Sequence, residues 1–172
     1  MQKLFESDGF ETCEVDKVLY NRQIRSIVNK IGNYKQLKST NNNHTVSGWY
    51  HVGITNIYSE KNCTSKKGTA YVLISPYVQK DTVKYNADTT FVAVFPTEEQ
   101  ANSYVGYLNT KFIRFMFLMA KCTLHMQGEN AWKFVPDPGA FDHIFTDQEL
   151  YQKYGLTDEE VKIIEAVIKE RK

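Results

Sequence analysis

Apolar residues at Tyr20, Ile24, Ile27, Val28 and Ile31 recur at the spacing of one helix face and predict a helix over residues 17–31. Asp16 stands where an N-cap is needed and Gly32 where a helix stops, while Arg22, Arg25 and Lys30 fall largely off the apolar stripe. The period then changes. Trp49 to Tyr58 and Thr69 to Val78 are dense in aromatic and β-branched residues and read as strands, and Thr89 to Phe95 is the clearest buried strand. Pro76 puts the end of the second strand at an edge or a bulge, because proline cannot donate to a ladder. The polar stretches Ser39–His44 and Glu60–Gly68 read as loops.

From Glu98 to about Lys121 the helical spacing returns, opened by Thr97 and Gln100 at capping-box spacing and with a break expected near Asn109. Ala131 to Val135 is a short strand candidate, closed by Pro136-Asp137-Pro138-Gly139. Thr146 with Glu149, and Thr157 with Glu160, predict capping boxes for two more helices. The first should end at Gly155, and the second should bury Val161, Ile164 and Ile168. The expected architecture is α+β, with a mainly antiparallel sheet and helices packed mostly at the C-terminal side. No repeat and no linker divides the 172 residues, so a single domain is expected.

Composition changes this picture little, but charge distribution changes it considerably. The formal net charge is +1, yet residues 17–84 hold eleven Lys and Arg against only Glu60 and Asp81. Net acidic segments lie on either side. A basic middle of this kind suits a polyanion if the fold keeps it together. Aromatic residues divide at the same boundaries. All ten Phe lie outside 17–84, whereas that span holds six Tyr and Trp49. Tyr and Trp suit base stacking, and equally the edges of a small sheet.

Several chemistries find no support. Cys13, Cys63 and Cys122 are scattered, without CxxC spacing, which argues against a zinc knuckle or a redox pair and fits thiols in a reducing cytoplasm. His44, His51, His125 and His143 include no pair four residues apart. The dinucleotide fingerprint, the P-loop, the HExxH helix and the GxSxG elbow are all absent. No apolar run approaches the roughly 20 residues that span a bilayer. The longest, Phe112 to Ala120, contains Arg114. Residues 1–10 lack the basic start and apolar stretch of a secretory signal, so a cytoplasmic protein is expected. Asp137, Glu160 and Lys162 superficially supply the residue types of a Mg²⁺ nuclease, but Glu160 is better explained by its capping-box position.

Three motifs are recognisable as a set: Tyr107-Leu108-Asn109-Thr110-Lys111-Phe112-Ile113-Arg114-Phe115, then Phe134-Val135-Pro136, then Leu150 to Thr157 ahead of a terminal helix. Over roughly residues 97–170 the chain resembles the C-terminal region of adenine-specific DNA methyltransferases from type II restriction–modification systems, some of which carry an endonuclease on the same chain. The resemblance implies a target-recognition domain. Its parent enzyme would use S-adenosylmethionine and an Asn-Pro-Pro-(Tyr/Phe) motif that holds a flipped adenine. That motif and the glycine-rich cofactor site are absent from these residues, so the resemblance implies no catalytic residue, no metal and no cofactor here. The implied partners are double-stranded DNA and a methyltransferase catalytic domain, in cis or in trans, with no membrane.

Candidate contacts follow from charge and residue chemistry. Lys61, Lys66 and Lys67, near Gly68, suit phosphates, or else a solvated loop. Arg22 and Arg25 offer a cationic helix face. Asn42, Asn43 and His44 offer amide and imidazole groups to base edges, or else a simple turn. Lys111 and Arg114 come from the resembling motif, where Arg114 can instead serve a buried carboxylate. Lys121, His125 and Lys133 lie between its parts. Phe112, Phe115, Phe117 and Leu118 are expected core. The alternative to DNA reading is a protein-interaction module that docks on a methyltransferase or a partner subunit.

Overall fold

The computed structural model describes residues 26–27, 29–31, 34–37, 48–55, 76–80, 90–120, 132–168 and 170. Among these the chain is α+β, with a three-stranded antiparallel sheet and helices in the C-terminal half. The strands are β1 (Tyr50–Thr55), β2 (Tyr77–Lys80) and β3 (Thr90–Phe95), with β1 in the centre. The helices are α1 (Glu98–Asn109), α2 (Lys111–Ala120), α3 (Asp147–Lys153) and α4 (Asp158–Val167). Residues 26–27 and 29–31 are also helical, and Ile27 and Ile31 of the expected stripe are buried.

Strand register explains the sheet's alternation. Val52 pairs with Ala93 and Ile54 with Phe91, and all four join the core that α1 and α2 cover. His51 and Val92 alternate with them and are buried as well, so the centre of the sheet is covered on both faces. Of the expected strand over 69–78 only residues 76–78 are described: Pro76 is outside a strand, and the strand that begins at Tyr77 runs on to Lys80, past the expected end at Val78. A proline just before the first strand residue costs no ladder bond. As expected of it, β2 is not central in the sheet: its pairing is to β1 through Tyr50↔Lys80, His51↔Gln79, Val52↔Val78 and Gly53↔Tyr77. Residues 69–75 lie outside the described residues.

The long helical pattern breaks at Thr110, one residue after the expected place. The Thr110 hydroxyl donates to the Tyr107 carbonyl (2.7 Å) and accepts from the Ile113 N–H (3.3 Å), so it closes one helix and opens the next. Asp147 strengthens that start from α3, its Oδ1 accepting from the Phe112 N–H at 2.9 Å. Phe112, Phe115, Phe117 and Leu118 are buried as expected.

Of the expected strand over 131–135, only residues 132–135 are described, and they form a turn. Trp132 and Val135 both bury their side chains, and the Val135 N–H donates to the Trp132 carbonyl at 3.1 Å. Extended pairing begins just after it, at the Gln36↔Pro136 bridge. The Leu37 N–H donates to the Val135 carbonyl (2.8 Å) and the Asp137 N–H to the Lys35 carbonyl (2.7 Å).

The three capping sites divide. Only Thr157 and Glu160 make the full reciprocal box. Thr97 accepts from the Gln100 N–H, but Gln100 Oε1 has no partner, so the return bond is missing. Thr146 accepts from the Glu149 N–H, while the Glu149 carboxylate turns to His143. At the end of α3, Gly155 takes φ +61, a left-handed conformation that glycine adopts at little cost. In α4, Ile164 and Ile168 are buried as expected, Val161 only partly, and Ile163 and Val167 complete the face.

Candidate nucleic-acid interface

Of the candidate contact residues, Arg22, Arg25, Asn42, Asn43, His44, Lys61, Lys66, Lys67, Lys121 and His125 lie outside the described residues. Lys111, Arg114 and Lys133 are described, and the structure puts them to different uses.

Arg114 is in the core rather than on a surface that could meet DNA, with 2% of its area exposed. Its Nε donates to the Asn109 carbonyl at 2.9 Å, bracing the kink between α1 and α2. Burial pulls the guanidinium below its ordinary pKa, and Asp147, Tyr151, Glu165 and Glu170 oppose that shift. Arginine remains charged under such conditions. Lys111 is ion-paired to Glu165 of α4. Glu165 also accepts from the Tyr151 hydroxyl at 2.8 Å, so one carboxylate joins α2, α3 and α4. Asp147 sits among these groups. Its burial raises the carboxyl above the ordinary range, and the hydrogen bonds from Phe112 and Lys111 N–H only partly offset this. The cations of the recognisable motif therefore serve the scaffold. Lys133 is exposed on the turn after Trp132.

Three basic residues of the 17–84 span are described. Lys30 donates to Glu160 Oε2 (2.7 Å) and to the Gly155 carbonyl (2.8 Å). Lys35 pairs with Asp137 at 3.3 Å while its side chain stays 79% exposed. Lys80 lies over the Tyr50 ring, 5.5 Å from its centroid. Lys30 and Lys35 thus tie the basic segment to the helical part. The same contacts account for Asp137 and Glu160, the two carboxylates that a nuclease would need. Glu160 holds Lys30 and the Thr157 N–H, and Asp137 holds Lys35 and accepts from the Gly139 N–H at 2.9 Å. Among the described residues no three His, Cys, Asp or Glu gather as a metal site.

The aromatic expectation has its clearest counterpart here. Tyr34, Trp49 and Tyr77 are exposed. Gly48 (φ +79) turns the chain just before Trp49. Tyr77 lies across Gly53 of the neighbouring strand, where an added Cβ would come within 2.4 Å of its ring. Tyr34 meets Tyr154 edge-on, with ring centroids 4.7 Å apart. Among the described residues, Tyr34 and Tyr77 of this span are thus both exposed and packed along edges. Residue type alone could not show that Lys30 and Lys35 would be engaged, since their carboxylate partners lie about a hundred residues away or more.

No family model, curated protein or solved structure matches this chain. Among the described residues, no helix is long and apolar enough to cross a membrane.

Proposed function

We propose that the chain is a DNA target-recognition domain serving an adenine-specific methyltransferase of a restriction–modification system, in cis or in trans. The observation that carries the reading is the charge division: eleven cations against two carboxylates over residues 17–84. Supporting it, the motif cations Lys111 and Arg114 are engaged internally, which shifts the expected contacts towards the central segment. In this reading Lys61, Lys66 and Lys67 take phosphates, and Arg22, Arg25 and the Asn42–His44 stretch add contacts. Methyl transfer, with S-adenosylmethionine, belongs to a catalytic part that contains the Asn-Pro-Pro-Tyr type motif. The setting is the cytoplasm.

One observation favours a second reading, an interaction module that docks on the methyltransferase without touching DNA. Lys30 and Lys35, two of the described cations of the basic span, are in internal ion pairs. Salt separates the two readings. A DNA reader loses affinity steeply as salt rises, because each neutralised phosphate releases counterions. Binding of labelled duplex DNA, followed by anisotropy across a salt series, should give a steep log–log slope. Replacing Lys66 and Lys67 together with Ala should reduce that slope by about 2 and weaken binding to every sequence alike. Duplex affinity that is absent or indifferent to salt would overturn the DNA reading and leave the docking module.

A further inference from the structure

We propose that His143 is a pH-operated latch that holds the strap of residues 139–146 to the first turn of α3. This goes beyond the DNA reading and stands independently of it. The strap runs from the Gly139 turn (φ +99) to the Thr146 cap and meets α1 at Ser103, Tyr104 and Tyr107. Phe141 inserts into a ring cluster with Phe95, Tyr104, Tyr107 and Phe145, at centroid distances of 5.1–6.1 Å. Ser103 of α1 donates its hydroxyl hydrogen bond to the His143 carbonyl. The His143 ring lies 4.2 Å from that of Phe145 and remains exposed to solvent.

Both ring nitrogens face carboxylates: Nδ1 is 2.7 Å from Asp142 Oδ1, and Nε2 is 2.8 Å from Glu149 Oε1. An ionised carboxylate can only accept. The two contacts are therefore both satisfied only by the imidazolium, which donates from Nδ1–H to Asp142 and from Nε2–H to Glu149. When the ring loses one proton to solvent, one nitrogen keeps its donor and the other turns a lone pair towards a carboxylate oxygen. The strap then loses its bridge to Glu149, or keeps it only by giving up Asp142.

The surroundings favour the closed form. Asp142 and Glu149 are the charged groups acting on the ring, and their hydrogen bonds raise the histidine above its ordinary pKa. The same ring holds the Asp142 carboxyl low, with Lys153 of α3 adding to the effect. Lys153 also donates to the Pro138 carbonyl at 2.9 Å, just ahead of the strap. α1 contributes the uncharged Ser103. Because the folded pKa is raised, the doubly bonded latch is fully present below the unfolded value of about 6.5, and one of its two bonds, with the ring's charge, is lost as pH rises through the higher folded value.

Glu149→Gln provides the discriminating variant. A glutamine can turn its carbonyl oxygen to Nε2–H or its amide N–H to the bare nitrogen, so its contact survives deprotonation. Histidine ring signals followed by NMR, with His143→Gln assigning the resonance, should show His143 titrating above about 6.5. Amide hydrogen exchange of the strap, corrected for intrinsic rates, should lose about two- to fivefold protection between pH 6 and pH 9. In Glu149→Gln the His143 midpoint should move down towards the ordinary value and the loss of protection should vanish. A midpoint at or below the ordinary value, no loss in the parent protein, or an equal loss in the variant would each overturn the latch.

Discussion

Tyrosine has different surroundings in the two halves of this molecule. Tyr104, Tyr107, Tyr151 and Tyr154, in the C-terminal part, are at most 4% exposed, whereas Tyr34 and Tyr77 of the basic span are each 40% exposed and Trp49 is 41% exposed. The C-terminal rings form a continuous network in which Phe112 stacks on Tyr154 at 5.2 Å and Tyr107 meets Phe145 at 5.0 Å. Two of their hydroxyls are also used inside: Tyr107 donates to the Pro136 carbonyl (2.6 Å) and Tyr151 to Glu165 (2.8 Å). Each exposed ring of the basic span instead keeps part of its surface in water. Charged residues divide in a similar way, with Arg114 in the core and most of the Lys35 side chain in solvent. The C-terminal half is therefore a scaffold in which Tyr107, Tyr151, Arg114 and Lys111 bond to other parts of that half, while the buried Gln100 Oε1 and Tyr154 hydroxyl have no hydrogen-bond partner. The described part of the basic span holds aromatic and cationic groups partly available to a partner.

The most severe test of that contrast is Phe112→Ala. Phe112 is fully buried between Tyr154 and Tyr151, so truncation leaves a cavity and should cost about 3–5 kcal/mol in urea unfolding. Tyr77→Ala, at a half-exposed edge, should cost under about 1 kcal/mol by the same measurement. Comparable losses at the two sites would break the distinction between scaffold and surface.

A smaller effect is expected where the two halves join. Glu160 is the joint: it is 2% exposed and accepts from Lys30 and from the Thr157 N–H. Burial pushes its carboxyl up, but the hydrogen bonds from Lys30, Thr157 and Ser26 outweigh this and hold it below the ordinary carboxylate value. Glu160→Gln keeps the shape and loses the charge, and should cost about 1–2 kcal/mol at neutral pH. A depressed folded pKa contributes stability that is present above the unfolded value and lost as pH falls through the folded one. The gap between parent and variant should therefore close as the pH is lowered below about 4. A gap that persists in acid would mean that shape, rather than charge, makes the joint.

These cases also show what could be read from residue order. Helix starts were legible because their signals are local: Thr97, Thr146 and Thr157 each cap the helix that their spacing announced. The completion of each cap was not, since His143 takes the Glu149 carboxylate that a capping box would have used. The break at Thr110 was placed to within a residue, but its support from Asp147 comes from 35 residues away. Trp132 to Val135 forms a turn instead of the expected strand because two buried apolar residues three apart suit either, and only their partners decide. In the candidate interface, residue type could nominate Lys111 and Arg114, but only tertiary structure could bring Glu165 and the Asn109 carbonyl to them.

The smallest effect sharpens the surface side of the contrast. Gly53 pairs with Tyr77, and a Cβ at that position would lie 2.4 Å from the Tyr77 Cζ. Those are the outer atoms of a half-exposed ring, which can swing towards solvent. Gly53→Ala alone should therefore cost only about 1 kcal/mol, the loss of one cross-strand contact. With Tyr77→Ala already in place nothing of that ring remains to be displaced. The same substitution should then be neutral or stabilising by about 0.5 kcal/mol, since alanine loses less backbone freedom than glycine. A double-mutant cycle by chemical denaturation reads this change of sign as a coupling energy. A ring held as rigidly as those of the scaffold would instead make Gly53→Ala cost several times more, and Tyr77 would then belong with the buried tyrosines rather than with Trp49.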